Sequence, residues 1–166
     1  MNKNRIFAIA FALIVLGGYW GYKTFLATPC LNFEEIILQK DGFGDEIRLA
    51  SLQEKVTLVA FFQTWCIDCI KEMPTILALE SQIKNSNLKV IMVSDEPIAK
   101  LEIFKQRFPN FAFQYYLSKE KLPSFGIRRY PTTYLVDEKG NILKSSLEGN
   151  NWASAEIVDM ITKKLN

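Results

Sequence analysis

Histidine is absent from this 166-residue sequence, and cysteine occurs only three times. Without histidine the chain lacks the commonest transition-metal ligand and the usual general base, which excludes Ser-His and Cys-His catalysis and histidine-based zinc or copper sites. Three cysteines are too few for a disulfide-stabilised scaffold. The net charge is only +2 and no dense basic cluster occurs, so binding to nucleic acid is not indicated.

Two of the cysteines, Cys66 and Cys69, are close enough in sequence to act as a pair, and Cys30 is left over. The simplest interpretation of Cys30 is an unpaired small apolar residue, with intermolecular pairing and acylation as alternatives. Hydrophobic residues make up 49% of the chain and charged residues 23%, as in ordinary globular proteins. The length leaves room for one compact domain plus an appendage.

The N-terminal part of the sequence has the pattern of a membrane anchor. Residues 6–22 carry no charge and are flanked by Arg5 and Lys23. A helix of 17 residues is about 26 Å long, slightly shorter than a hydrocarbon core of about 30 Å, and the flanking cations can snorkel to the interface. We predict a cytoplasmic tail at 1–5 and an uncleaved transmembrane anchor at 6–22, with the rest of the chain outside the cytoplasm. A cleaved signal peptide and a buried core helix are the alternatives.

Residues 23–45 are interpreted as a connector, and residues 46–166 alternate between strand and helix patterns. A short edge strand is expected within 46–52, and apolar runs predict strands at 56–62, 88–94, 113–117, 132–136 and 142–147. Periodic apolar positions predict helices at 67–84, 97–107 and 151–165. The last two strands are separated by a turn sequence that is typical of an antiparallel hairpin. The expected fold class is therefore α/β, a mixed central sheet with helices on both sides.

The C-x-x-C pattern of Cys66 and Cys69 follows a buried-strand pattern and precedes a helical one. This position at a helix N-terminus favours a thiolate, because the free N–H groups and the helix dipole stabilise negative charge. A four-sulfur zinc site needs a second pair, and covalent haem attachment needs a histidine where Ile70 stands. Redox chemistry is the preferred interpretation, and a structural disulfide is the alternative.

Two distant segments now resemble one known family. They are Phe61-Phe62-Gln63-Thr64-Trp65-Cys66-Ile67-Asp68-Cys69, followed by Glu72 and Pro74, and Phe125 to Asp137, followed by Gly140. Over roughly Asn32 to Asn166 the chain resembles the thioredoxin superfamily, and within it the membrane-anchored TlpA/ResA-like thiol-disulfide oxidoreductases. This resemblance implies a thioredoxin-like fold.

The resemblance also implies a role for each site residue. Cys66 is expected to be the nucleophile and Cys69 the resolving thiol, with their redox-active disulfide in place of a cofactor. Glu72 matches an acidic residue that these proteins carry three positions after the second cysteine, and a partly buried carboxylate there is expected to exchange a proton with Cys69. An exposed carboxylate in a salt pair is the alternative.

The remaining site residues are expected to contact the substrate. Trp65 covers the cysteine pair. The bond between Tyr130 and Pro131 is expected to be cis, and the backbone beside it, including Thr132, is expected to pair with a substrate segment. An ordinary proline at the start of a strand is the alternative for Pro131.

The expected function is disulfide reduction outside the cytoplasm. Asp68 places negative charge beside the thiolate, which disfavours an oxidising pair. The family suggests apocytochrome c or other exported proteins as substrates, and recharging by a membrane electron donor. A peroxiredoxin-like peroxidase, a metallochaperone on the same fold and an unreactive scaffold module are the alternatives; Thr64 lies too close to Cys66 for the usual peroxidase motif, and the chain lacks the distant histidine of copper carriers.

Overall fold

A computed structural model describes residues 3–26, 28–41, 44–83 and 88–165, and within the first range it describes the side chains of 9–21. The helices are α1 (Lys3–Leu26), α2 (Ile67–Gln82), α3 (Ile98–Arg107) and α4 (Ala155–Leu165). The strands are β1 (Ile37–Lys40), β2 (Glu46–Arg48), β3 (Val56–Phe61), β4 (Leu88–Ser94), β5 (Gln114–Ser118), β6 (Thr132–Asp137) and β7 (Ile142–Leu147). Short 3₁₀ turns occupy Leu49–Leu52 and Leu122–Phe125.

The described strands form one mixed sheet in the order β2-β1-β5-β4-β3-β6-β7. Strand β4 is parallel to both β3 and β5, to which it is connected through α2 and α3, and the other pairings are antiparallel. The predicted edge strand corresponds to β2, and the predicted hairpin corresponds to β6 and β7. The mixed α/β sheet is therefore confirmed.

Alternation along β3 divides the core between the two faces of the sheet. Leu58 and Ala60 belong to a cluster that also contains buried residues of α2, α3 and α4. Val59 and Phe61 point into a second cluster, which is closed by the two 3₁₀ turns and by the segment around Phe33. Helices were expected on both faces; in the described part of the chain, α2 to α4 all pack into the first cluster.

The predicted connector takes part in the folded domain. Strand β1 pairs with β2 and with β5, and Phe33 and Ile36 are buried in the second cluster. The hydroxyl of Tyr134 donates to the carbonyl of Pro29 at 2.7 Å. The packing of the domain thus extends back almost to the start of the second described range, well before residue 46.

Helix α1 covers the segment for which an anchor was predicted. Among the residues that the structure describes, none forms a helix long and apolar enough to cross a membrane. The anchor at 6–22 and the domain boundaries that depend on it stay predictions.

Candidate active site

The cysteine pair lies where β3 gives way to α2. Cys66 and Cys69 form a disulfide, with Cα atoms 5.3 Å apart. Cys66 is the N-cap of α2: its backbone is extended, and its sulfur accepts a hydrogen bond from the Cys69 N–H at 3.1 Å. One of the free N–H groups of the helix is therefore directed at the Cys66 sulfur, which is the arrangement that stabilises a thiolate after reduction.

Both cysteines are buried, although their apolar neighbours in sequence are exposed. Cys66 and Cys69 are 5% and 2% exposed, whereas the neighbouring Trp65 and Ile67 are 65% and 68% exposed. In the oxidised structure, Cys66, the expected nucleophile, is therefore only slightly more exposed than Cys69.

The carboxylate of Asp68, which lies between the cysteines in sequence, is paired with a lysine. It accepts a hydrogen bond from the Lys71 ammonium at 2.9 Å, and both side chains are largely exposed. Because Lys71 and solvent offset its charge, Asp68 has less influence on the thiolate than the sequence alone indicated.

Glu72 is buried on the same side of α2 as Cys69, one turn further along, since residues three apart share a helix face. Only 4% of it is exposed. Its carboxylate accepts hydrogen bonds from the Thr133 hydroxyl at 3.0 Å and from the Trp152 indole N–H at 2.6 Å. Burial raises the pKa of Glu72 above its ordinary value, although Trp152, Thr133 and the Asn150 backbone act in the opposite direction. The alternative of an exposed carboxylate in a salt pair is wrong.

The segment after β7 connects helix α2, which carries Glu72, to Pro131, the residue just before β6. The backbone N–H of Glu148 donates to the Pro131 carbonyl at 3.1 Å, and the backbone N–H of Trp152 donates to the Thr75 hydroxyl at 3.2 Å. The Thr75 hydroxyl lies 3.1 Å from the Asn150 carbonyl. Sequence reasoning missed Trp152, because a tryptophan 80 positions after Glu72 has no local pattern that relates the two.

The peptide bond between Tyr130 and Pro131 is cis, as predicted. The ring of Tyr130 meets that of Trp65 edge to face, with centroids 6.2 Å apart. Pro131 and Thr132 are buried, and the Thr132 hydroxyl donates to the Arg129 carbonyl at 2.7 Å. Trp65 is therefore exposed and Tyr130 half-buried, whereas Pro131 and Thr132 are buried; the expected contacts of these residues with a substrate stay predictions.

A buried polar network holds the loop in front of α2. The Gln63 amide donates to Asp95 at 2.6 Å, and the other oxygen of Asp95 accepts the Leu122 N–H at 2.9 Å. Glu96 is buried and accepts the Thr64 N–H. Both acidic residues follow β4, and nothing in their sequence context marked them. They orient the residues that lead into Trp65 and Cys66.

Metal-ligating side chains do not come together elsewhere in the described ranges, where no group of three or more Cys, Asp or Glu residues has the geometry to hold an ion. The chemistry that this arrangement supports is thiol-disulfide exchange with an adjacent buried carboxyl.

Comparison with known proteins places the chain in a family. The sequence profile of the AhpC/TSA family matches residues 29–145, well over half of the chain. The chain belongs to the AhpC/TSA family. A relative named thiol-disulfide oxidoreductase ResA, from Halalkalibacterium halodurans, is 29% identical over 159 residues, which cover 87% of this chain and 88% of the relative.

Solved structures share the fold of this AhpC/TSA family member. The thioredoxin domain of a thiol-disulfide oxidoreductase from Bacteroides vulgatus superposes with a TM-score of 0.64 at 24% identity, covering 85% of this chain and 99% of that one. StoA from Bacillus subtilis superposes with a TM-score of 0.58 at 22% identity, covering 80% and 98%. The predicted thioredoxin-like fold and the predicted class, a thiol-disulfide oxidoreductase, are confirmed.

Proposed function

We propose that the protein is an extracytoplasmic reductant of protein disulfides that works through the dithiol form of Cys66 and Cys69. The observation that carries this proposal is the Cys66 sulfur at the N-terminus of α2, with the Cys69 N–H directed at it and the carboxyl of Glu72 buried one turn behind. A nucleophile, a resolving thiol and a proton acceptor thus lie along one helix.

The proposed reaction has two exchange steps. The Cys66 thiolate attacks one sulfur of a substrate disulfide, which forms a mixed disulfide and releases the other substrate sulfur as a thiolate that takes up a proton. The Cys69 thiol then loses its proton to Glu72 and attacks the Cys66 sulfur, releasing the second substrate thiolate. Two electrons pass to the substrate, and the Cys66–Cys69 disulfide remains.

Glu72 suits the second step because its pKa is raised by burial, so that it takes up a proton more readily than an exposed carboxylate. Trp65 and Tyr130 are proposed to contact the substrate, and the backbone next to Pro131 is proposed to pair with a substrate segment in strand-like fashion. The donors from Trp152 and Thr133 position the carboxylate without contacting the substrate.

Variants of the cysteines test the assignment of roles. Cys66→Ser is expected to abolish reduction of a protein disulfide, and Cys69→Ser is expected to stop at the mixed disulfide, which non-reducing electrophoresis detects. Cys30→Ser serves as the control, since that thiol is exposed and outside the pair. Full reductase activity in Cys69→Ser would show that the roles are misassigned.

The direction of electron flow is tested by the reduction potential. A reductant is expected to have a potential well below about −120 mV, the value of a strong oxidant of this fold. A value near −120 mV for the Cys66–Cys69 couple would contradict the reducing role. Rapid consumption of hydrogen peroxide by the reduced chain would favour the peroxidase alternative instead.

The proposed location and partners follow from the uncharged stretch at 6–22 and from the relatives. Apocytochrome c or another exported protein is the proposed substrate, and a membrane electron donor is proposed to restore the dithiol. Cys30 provides a test of the location, because it is free and exposed. In intact cells a membrane-impermeant maleimide is expected to label it; labelling only after lysis would contradict an extracytoplasmic domain.

A further inference from the structure

An apolar groove of about 300 Å³ lies beside the cysteine pair, between the loop that carries Trp65 and one face of α3. Ile103 lines it and is 65% exposed, as is Trp65. Phe104 also lines it and is buried in the core beneath. Apart from α1, the large apolar side chains that the described residues expose are Trp65, Ile67, Ile103 and Ile142. Two of these four therefore line a single groove, and Ile67 lies between the cysteines.

The length of the groove fits a short extended peptide. Its helical wall runs from Lys100 to Arg107, two turns of α3, with Phe108 just beyond. At about 1.5 Å per residue this wall is roughly 10 Å long, the length of about three residues of extended chain at about 3.3 Å each. Since Trp65 is adjacent to Cys66, a peptide in the groove lies within a few residues of the sulfur under attack.

The basic side chains of α3, of which Lys100 and Arg107 line the groove, favour an acidic partner. Lys100 is paired with Glu96 at 3.2 Å, and Lys105 is paired with Asp41 and Glu102. Arg107 differs: its guanidinium lies over the Phe108 ring at 5.4 Å, and no ion pair is formed with it by a carboxylate of the described residues. A planar guanidinium held on an aromatic ring is suited to bind a carboxylate through two hydrogen bonds.

We propose that this groove binds the segment of a substrate protein that adjoins its reactive cysteine, with a bulky apolar side chain against Trp65 and Ile103 and a carboxylate on Arg107. The inference rests on the proposed function, because it assigns the groove to the substrate of that reaction. A groove with this role makes the protein selective for disulfides whose neighbouring residues are apolar and acidic.

The test measures the rate at which Cys66 in the full chain captures peptides. The chain carries Cys30→Ser and Cys69→Ser, so that Cys66 is the remaining thiol and the reaction stops at the mixed disulfide. Three peptides have one cysteine activated by a thionitrobenzoate group, whose release is coloured. The peptides differ in the two residues next to the cysteine, which are Phe and Asp in the first, Phe and Lys in the second, and Ser and Asp in the third.

The peptide with Phe and Asp is expected to react about threefold faster than the one with Phe and Lys, and this ratio should shrink in molar salt. Arg107→Glu should invert the ratio. Ile103→Ser should remove most of the advantage of Phe over Ser, whereas the matched control Ile142→Ser, an exposed isoleucine on β7, should keep both preferences. Ratios within one variant are independent of its overall reactivity.

Equal rates for all three peptides, or an unchanged ratio in Arg107→Glu, would overturn the inference while leaving the proposed function intact. A change of oligomeric state in Ile103→Ser without a change of ratio would assign the groove to a second copy of the chain and would equally overturn it. A chain that captures none of the peptides would contradict the proposed function, and the inference with it.

Discussion

Replacing Trp152 by phenylalanine should raise the pKa of Glu72 and should destabilise its ionised form by about 1.5–3 kcal/mol. The indole N–H donates to the Glu72 carboxylate at 2.6 Å and can only donate, so it stabilises the ionised form. Phenylalanine keeps the aromatic packing of this fully buried side chain and removes the donor. A hydrogen bond to a charged group contributes about 1.5–3 kcal/mol, and one pKa unit corresponds to about 1.36 kcal/mol. The Thr133 hydroxyl still donates in the variant, which favours the lower end of the range.

The direct assay is a pH titration of the Glu72 carboxyl by carbon NMR on chain labelled at glutamate, with Glu72→Gln to assign the resonance. Trp65→Phe is the matched control, because Trp65 is exposed and contacts Tyr130 instead of Glu72. The control should leave the pKa of Glu72 unchanged.

Stability supplies an independent check. The pKa of Glu72 is raised on folding, so the stability that the protonated group contributes is fully present below its ordinary value of 4.5 and is lost as the pH rises through the folded-state value. Trp152→Phe raises the folded-state pKa, so this loss of stability extends to higher pH. When urea melts are compared with the wild type, the variant should therefore lose about 1.5–3 kcal/mol more of its free energy of unfolding at pH 8 than at pH 4.

The two measurements must agree, because the difference in stability is the shift in pKa multiplied by about 1.36 kcal/mol. An unchanged or lowered pKa of Glu72 would refute the assignment of Trp152 as the donor that holds the carboxylate. Equal destabilisation at both pH values would indicate loss of packing alone.

Further predictions concern the turn after β6, one glycine and the loop before α2. Asp137→Ala should lower the free energy of unfolding by about 2–4 kcal/mol in urea melts at neutral pH, since the Asp137 carboxylate accepts hydrogen bonds from Lys139, Asn141 and Lys164. These hydrogen bonds outweigh burial and lower the pKa of Asp137. The contribution is therefore present above about pH 4 and disappears as the pH falls through the folded-state pKa. Gly126→Ala should be more destabilising than Gly44→Ala by thermal melts, because both glycines have positive φ but only at Gly126 does the added methyl lie 3.3 Å from Pro29. Glu96→Ala should speed amide exchange at Thr64 by about tenfold or more, measured by NMR against an unaffected exchange rate in the β6–β7 hairpin.

Local patterns carried most of the fold prediction. The predicted strands and helices from 56 onward occur within a few residues of their expected bounds, because alternating and helical periodicities are properties of neighbouring residues. Strand β1 was missed for the opposite reason. Its four residues have no distinctive local pattern, and they form a strand because they pair with β2 on one side and with β5 on the other.

In the candidate site, too, features that depend on neighbouring residues were predicted, and features that depend on distant contacts were not. Cys66 and Cys69 were recognised from their spacing and their place between a strand and a helix, and the cis bond before Pro131 was expected from resemblance to a family. The environment of Glu72 was not predictable in this way. Its sequence position is compatible with an exposed salt pair, and its burial depends on Thr133 and Trp152, which lie 61 and 80 residues away.

The redox interpretation of the chain rests on features that are local in sequence: the cysteine pair at a predicted helix N-terminus, the lack of histidine and the order of strands and helices. The surroundings of the cysteine pair depend instead on tertiary contacts. Whether a carboxyl is buried, whether Arg107 meets an acidic neighbour and whether Ile103 is covered depend on which distant elements pack together. The physical reason is that a pKa and a binding surface are set by desolvation and by contacts across the fold, whereas the two cysteines are three residues apart and their spacing is visible in the sequence.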